Sequence, residues 1–298
     1  MESLYIPSNV FSRVYDAEMI VCDTSEHKTY IVNEVGARIL QSIEDKEAQS
    51  LDEIIHILKD EYDVEDILLS DVCQSFIKEM LEWGVVRTPN YDFKRKGNSA
   101  SENVYSEEDS EYHLQKKMSS KHRLYSALIE LTYKCNLRCK HCFAISHAQT
   151  VPELTTNEVL SLLDDLHMNN VFRLVFTGGE VFLRDDFLEI LKYAISKRFL
   201  IDIYSNATLL NDNLIREIAN CKIRSFHTSI YSHIPEKHDL ITGKKASFGK
   251  TVTALRSFKQ CGLMTNVKTT LMRYNQHDLP MIKKLANEIG ASFQPSGT

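Results

Sequence analysis

Between Tyr133 and Phe143, at the end of an apolar, strand-like run, three cysteines fall in the spacing Cys-x3-Cys-x2-Cys: Cys135, Cys139 and Cys142. Three thiolates this close satisfy three irons of a 4Fe-4S cube, whereas clusters used only for electron transfer normally take a fourth cysteine. The fourth iron is then open to ligand chemistry. A zinc site is the competing reading, but structural zinc is closed by four protein ligands in a tetrahedron. His141 lies inside the short Cys139–Cys142 spacer, where it cannot easily turn back onto the same metal. On spacing alone, zinc or three unrelated thiols stays open.

The 298 residues, 43% hydrophobic and 26% charged, suit one large globular domain or two moderate ones. A formal net charge of -6 gives no broad positive field for nucleic acid or anionic membrane, though it leaves room for a local basic patch. The N-terminus carries no charged segment followed by an apolar core, and no run approaches ~18 apolar residues, so a cytoplasmic protein without a membrane span is expected. Seven cysteines, an odd number, fit a reducing compartment and metal ligation better than a disulfide framework. Cys22, Cys73, Cys221 and Cys261 are expected to be ordinary buried thiols.

Residues 1–91 read as a small α+β unit with a winged-helix outline. Short β-rich runs at Phe11–Tyr15, Met19–Asp23 and Thr29–Val32 predict an antiparallel sheet. Three helical patterns follow. One begins around Ala37, Leu40, Gln41 and Ile43; the next carries Leu51, Ile54, Ile55 and Leu58 behind a Ser50/Glu53 capping box. The third starts near Asp66, places Leu69, Val72, Cys73, Phe76, Ile77 and Met80 on one face, and stops at Gly84. Val85 and Val86 are expected to form a wing. The DNA-binding reading that such an outline invites fails on charge: from Leu51 to Glu82 many carboxylates face only Lys59 and Lys78, which repels a phosphate backbone. From 92 to 123 the chain turns polar, with Lys94–Lys96 and a run rich in Ser, Glu and Asp, and reads as a linker.

Beyond it, strand-like and helix-like segments alternate. Strands are expected at Ala127–Thr132, Phe172–Phe176, Leu200–Tyr204, Ile223–Ile230, Met264–Leu271 and Ala291–Phe293. The clearest helices are Thr155–His167, opened by a Thr155/Glu158 capping box, and the Phe187–Ile195 pattern; Gly262 and Gly290 sit where C-caps belong. Such alternation predicts a parallel sheet with sites at the C-terminal strand ends. The chemical motifs fall there. Thr177-Gly178-Gly179-Glu180 lets backbone approach a partner closely and supplies a carboxylate that accepts from an ammonium group, though it also suits a plain tight loop. Ser205-Asn206-Ala207-Thr208 follows the third strand, and Ser229-Ile230-Tyr231-Ser232 the fourth. Then come His238-Asp239, Thr242-Gly243 and Ser247-Phe248; His238 and Asp239 equally suit tying down their loop. Lys268 and Asn275 are weaker candidates, Asn275 reading first as a helix N-cap.

These cysteines and turns, in order on successive strands from roughly Leu128 to Phe293, resemble the radical S-adenosylmethionine (radical SAM) superfamily. The sequence departs from its usual motifs at Val181 (proline), Ala207 (glycine) and Tyr231-Ser232 (Asp-Gly). The resemblance implies an α/β fold, a partial (β/α)6 TIM-like barrel over 124–298, truncated after the sixth strand and without an auxiliary-cluster domain. That leaves a truncated chain, an enzyme needing no further cluster or one needing a partner protein, or an incomplete core. It implies a 4Fe-4S cluster on Cys135, Cys139 and Cys142 and SAM on the open iron. Gly178, Gly179 and Glu180 would hold the methionine amino group. Ser205 and Asn206 would face the ribose or carboxylate, Ser229 the ribose, and His141 the cofactors. Reductive SAM cleavage would give a 5′-deoxyadenosyl radical that abstracts hydrogen from substrate, with flavodoxin or ferredoxin as electron donor.

The N-terminal pattern is similar to the peptide-chaperone family of pyrroloquinoline-quinone biosynthesis, the RiPP recognition element of enzymes that modify ribosomally made peptides. That resemblance implies a precursor peptide as partner, its leader adding as a strand beside the Thr29–Asn33 edge. The expected function is a peptide maturase that installs a thioether or carbon-carbon crosslink. The alternatives are a radical SAM enzyme maturing a quinone precursor or a sulfatase, and a non-catalytic peptide-binding module.

Overall fold

The computed structural model describes residues 3–15, 18–26, 28–89, 115–116, 118–142 and 152–296, and the chain divides into two units, Met1–Lys121 and His122–Thr298. Most of the polar 92–123 stretch lies outside the described residues.

In the first unit, β1 (Val10–Tyr15), β2 (Glu18–Asp23) and β3 (Lys28–Val32) form an antiparallel sheet in chain order, with Phe11 opposite Cys22 and Ile20 opposite Ile31. Helix α1 (Glu34–Glu44) is capped by Asn33, whose side chain accepts from the Gly36 amide. Helix α2 (Leu51–Glu61) carries the expected Ser50/Glu53 capping box, and α3 (Asp66–Trp83) ends on left-handed Gly84 at φ 75°. Leu69, Cys73, Ile77 and Met80 bury the core stripe of α3. Val72, placed on that face by the sequence reading, sits at its edge and is exposed, and Phe76 is half-buried. Val85 and Val86 form no wing. Both are fully buried in the core, and among the described residues just beyond them Arg87 makes a single antiparallel bridge to Tyr5.

The second unit is a six-stranded parallel sheet in sequential order: β4 (Ser126–Thr132), β5 (Arg173–Gly178), β6 (Leu200–Tyr204), β7 (Ser225–Ser229), β8 (Thr265–Thr270) and β9 (Ser292–Ser296). Between them run α4 (Thr156–Met168), α5 (Phe187–Ser196), α6 (Asp212–Asn220), α7 (Pro235–Thr242), α8 (Ser247–Gln260) and α9 (Leu279–Ile289). The Thr155/Glu158 box opens α4, Gly290 caps α9 at φ 82°, and Gly262, just past α8, has φ 71°. One face of the sheet meets the helices: Ile201 and Ile203 of β6 pack with Leu174, Phe176, Ile190 and Phe226. Because all strands run the same way, their C-terminal ends and the following loops gather along one edge.

Asp202, between the two isoleucines, is fully buried. Arg173 Nε (2.6 Å), Arg224 Nε (3.0 Å) and Ser225 Oγ (2.5 Å) surround its carboxylate. Burial alone would raise its pKa, but the nearby His227 ring, Arg224 and Arg173 outweigh it and hold the group well below the usual carboxylate range. This satisfied ion cluster ties β5, β6 and β7 together. Of the cysteines outside the motif, Cys22 and Cys73 are buried as expected, but Cys221 is half-buried and Cys261 is exposed, since both cap helix C-termini where the chain turns out toward solvent. Among the described residues no helix is long and apolar enough to cross a membrane.

Candidate functional site: the cysteine loop and the strand-end turns

The cysteines occupy the loop that leaves β4, and two elements clamp it. On one side β5 ends against it: Gly179 N donates to Thr132 O (2.7 Å) and Glu180 N to Lys134 O (2.8 Å). A Cβ on Gly178 would overlap Thr132 O, and one on Gly179 would overlap Lys134 O. The close approach these glycines permit is therefore to the cysteine loop's own backbone. On the other side, Arg138 N and Lys140 N donate to Thr242 O and Ile241 O, both at 2.9 Å, satisfying the last carbonyls of α7. Gly243 follows with φ 68°, and a Cβ there would stand 2.8 Å from Arg138 O.

Hydrogen bonds converge on the first sulfur. Leu137 N lies 3.4 Å and Asn206 Nδ2 3.8 Å from Cys135 Sγ. The same Asn206 amide donates to Asn136 Oδ1 (2.9 Å), its carbonyl accepts from Thr208 N and Oγ1, and Asn136 Nδ2 closes the ring onto Thr208 Oγ1 at 2.8 Å. Asn136 was not singled out from the sequence; its position between the first two cysteines was the available signal. Ala207, in this turn, takes φ 61°, the left-handed geometry glycine ordinarily supplies.

Glu180 is fully buried, and the Ser205–Asn206 turn wraps it: Oε1 accepts from Ser205 Oγ (2.7 Å) and Phe182 N (3.2 Å), and Oε2 from Asn206 N (2.8 Å). Burial raises its pKa, with these three bonds opposing. Ser229 ends β7 and hydrogen-bonds Tyr231, a buried ring that stands edge-on to His141 with centroids 4.5 Å apart. His141 Nδ1 is buried with no hydrogen-bond partner among the described residues. Tyr231, quoted in the strand-end motif but given no role from the sequence, has its hydroxyl pKa raised by burial and then by the neighbouring Cys139, so it stays protonated.

The remaining candidates serve the loop framework. His238 Nδ1 accepts from Tyr231 N (3.2 Å), and Asp239 accepts from Ala246 N, Ser247 Oγ and Phe248 N. Lys268 Nζ lies 2.6 Å from Tyr204 Oη on the sheet face. Asn275 is no N-cap: Asp278 precedes α9, and the buried Asn275 side chain instead staples its own loop, accepting from Met272 N and donating to Thr270 O.

The three thiols fit an iron-sulfur cluster. All are half-buried on one loop, and Cys139 is pushed up to about 12 by burial and then by Cys135 and Cys142, a repulsion that bound cationic iron relieves. Among the described residues no three His, Cys, Asp or Glu side chains converge as ligands of one ion, whereas a cube gives each thiolate its own iron.

Residues 129–286, more than half the chain, match the family model of the radical SAM superfamily. The chain belongs to the radical SAM superfamily. That superfamily uses a 4Fe-4S cluster and SAM. Residues 18–86 of this radical SAM protein match a second model, coenzyme PQQ synthesis protein D (PqqD), so the first unit is PqqD-like. The AdoMet-dependent heme synthase of Oleidesulfovibrio alaskensis is 30% identical over 164 residues, 55% of this chain and 42% of that protein. The mycofactocin maturase MftC of Mycobacterium ulcerans is 29% identical over 174 residues, 56% and 47% of the two chains. The chain thus spans under half the length of these curated relatives. Streptococcus suis SuiB, solved with the precursor peptide SuiA, shares the fold at a TM-score of 0.64 and 13% identity, covering 99% of this chain and 63% of SuiB.

Proposed function

We propose that this radical SAM protein is a peptide maturase: it binds the leader of a ribosomally made precursor at its PqqD-like unit and crosslinks the core peptide at its barrel. The reading is carried by one observation, a PqqD-like unit and the cysteine-bearing barrel in a single chain. When bound, the cluster and SAM supply a 5′-deoxyadenosyl radical that removes a hydrogen atom from substrate. The chain's own residues position and enclose. Cys135, Cys139 and Cys142 would hold the cluster, with Leu137 N and Asn206 Nδ2 directed at the Cys135 sulfur. Gly178, Gly179, Ser205, Asn206, Ser229 and His141 would line the SAM site, and Glu180 would fix the turn that presents Asn206. Leader capture raises the local concentration of the core peptide at the strand ends.

A second reading has its own support in the likeness to AdoMet-dependent heme synthases, which favours a tetrapyrrole substrate. The PqqD-like unit weighs toward a peptide. The discriminating experiment incubates reduced, cluster-loaded protein and SAM with a precursor peptide, with the same peptide lacking its leader, and with a metallo-coproporphyrin. Formation of 5′-deoxyadenosine that depends on the leader, with loss of hydrogen mass from the core peptide, supports the maturase. Leader-independent turnover, or turnover of the porphyrin alone, overturns it.

A further inference from the structure

Alternation along the barrel strands sorts their side chains onto two faces. Ile201, Ile203, Phe226 and Val267 pack toward the helices, which leaves Asp202, Tyr204, His227, Ser229 and Lys268 on the opposite face. The deeper layer of that face is closed on itself: Asp202 is satisfied by Arg173, Arg224 and Ser225, and His227 Nε2 lies 2.8 Å from Ser225 Oγ. The next layer toward the strand ends is not. Lys268 is half-buried on β8, and its register partners on the two neighbouring strands, Ser229 and Gln294, are neutral. Asn266 and Thr270, on the same face of β8, are neutral too. Lys268 instead reaches across β7 to donate to Tyr204 Oη at 2.6 Å, and it enters no ion pair among the described residues. The Tyr204 ring lies 4.4 Å from that of His227, whose Nδ1 is buried with no hydrogen-bond partner among the described residues. The strands give this face one other carboxylate besides Asp202: Glu130, four strands away on β4 and hydrogen-bonded to Tyr133.

We propose that Lys268 and Tyr204 form a subsite for a carboxylate of the substrate, borne by an acidic residue of a core peptide or by a propionate. The inference rests on the reading that this barrel binds substrate beside SAM, and it adds the chemical group by which that substrate is held. A half-buried ammonium gives up hydration that an anion replaces far better than a neutral phenol does. Because Tyr204 accepts from Lys268, its own hydroxyl proton is left for a second acceptor, and no hydrogen bond among the described residues uses it. Ammonium and phenol are thus two donors 2.6 Å apart, a pair that suits the two oxygens of one carboxylate in charge-assisted hydrogen bonds. Ser229, the direct register partner of Lys268, belongs to the proposed SAM lining, so a carboxylate held here fixes substrate next to it. Lys268 and Tyr204 act by position; no bond forms or breaks at either.

The test measures binding to the full, cluster-loaded chain in the presence of SAM, by ligand-observed NMR titration, for wild type, Lys268→Met, Lys268→Arg and Tyr204→Phe. One pair of probes is N-acetylglutamate N-methylamide and its glutamine counterpart; the other is coproporphyrin III and its tetramethyl ester. The proposal expects wild type to favour the charged member of at least one pair, and the pair in which it does so names the source of the carboxylate. That preference should fall about tenfold in Lys268→Met and about threefold in Tyr204→Phe, and survive in Lys268→Arg. Equal binding of charged and neutral members by wild type overturns it, as does an unchanged preference in Lys268→Met. A Lys268→Met variant whose affinity for SAM falls as far as its affinity for the favoured probe also overturns it, since the group held would then be the carboxylate of SAM. Iron content and thermal melts verify that folded, loaded proteins are compared; where Lys268→Met does not load iron, Tyr204→Phe decides by the same criterion. Leader-independent turnover would remove the maturase reading, while these titrations still decide the subsite.

Discussion

The side-chain amide of Asn206, at the end of β6, points at the sulfur of Cys135 from 3.8 Å. A hydrogen bond to a cluster sulfur stabilises the reduced, more negative state and so raises the potential. Removing it in Asn206→Ala costs about 1 kcal/mol of that preference, roughly 40 mV for a one-electron couple. A redox titration followed by electron paramagnetic resonance should therefore find the variant's cluster harder to reduce. A potential unchanged or raised would mean that the amide acts only on Asn136 and Thr208.

Glu180 holds its turn with three accepted hydrogen bonds in a fully buried setting. In Glu180→Gln one acceptor becomes an NH2 group facing donors, so a backbone amide loses its partner. The expected loss is about 2 kcal/mol of stability, read as a lower urea midpoint, together with weaker SAM binding. Full stability would show that the carboxylate is not needed for the Ser205–Asn206 turn.

Two glycine substitutions should move in opposite directions. Gly179→Ala drives a methyl group into Lys134 O and should cost about 1–3 kcal/mol and lower the iron content of reconstituted protein. Gly249→Ala, in the first turn of α8 with open space around its Cα, should stabilise by about 0.5–1 kcal/mol and leave iron content unchanged. Thermal melts and iron assays on both variants check the pair.

Much of this architecture was legible in the sequence, because strands, capping boxes and the cysteine spacing are local signals. The six barrel strands lie close to where their apolar runs place them, and Ser50 and Thr155 cap as their Glu partners at N3 require. What stayed hidden is long-range. Nothing in local pattern says that Asn136 will bond Thr208, 72 residues on, or that Arg138 and Lys140 will satisfy the end of α7. Asn275 misled because an Asn just before a helix looks like a cap, while its side chain reaches backward to Thr270 and Met272. Val85 and Val86 misled because two β-branched residues after a helix suit an exposed strand as well as a core, and tertiary packing decided.

Acid should loosen the barrel unit through His238. Burial lowers its pKa from 6.5 to about 4, Asp239 opposing, and its Nδ1 must stay unprotonated to accept from Tyr231 N. A depressed histidine pKa means that the unfolded chain takes up a proton first, so stability falls as pH drops below 6.5 and levels off below about 4. Between pH 7 and 5 this site alone should account for about 2 kcal/mol. Urea midpoints at the two pH values should show the drop in wild type and much less in His238→Asn, whose amide oxygen still accepts. An equal drop in both would assign the acid sensitivity elsewhere.

The central claim is that Cys135, Cys139 and Cys142 carry a cluster with one iron free for SAM. The most direct measurement is the electron paramagnetic resonance spectrum of protein reconstituted without oxygen and then reduced, recorded before and after SAM is added. The account predicts a 4Fe-4S signal that changes shape on SAM addition and is absent when any of the three cysteines is replaced by alanine. Zinc bound in place of iron, or an iron signal indifferent to SAM, would contradict it.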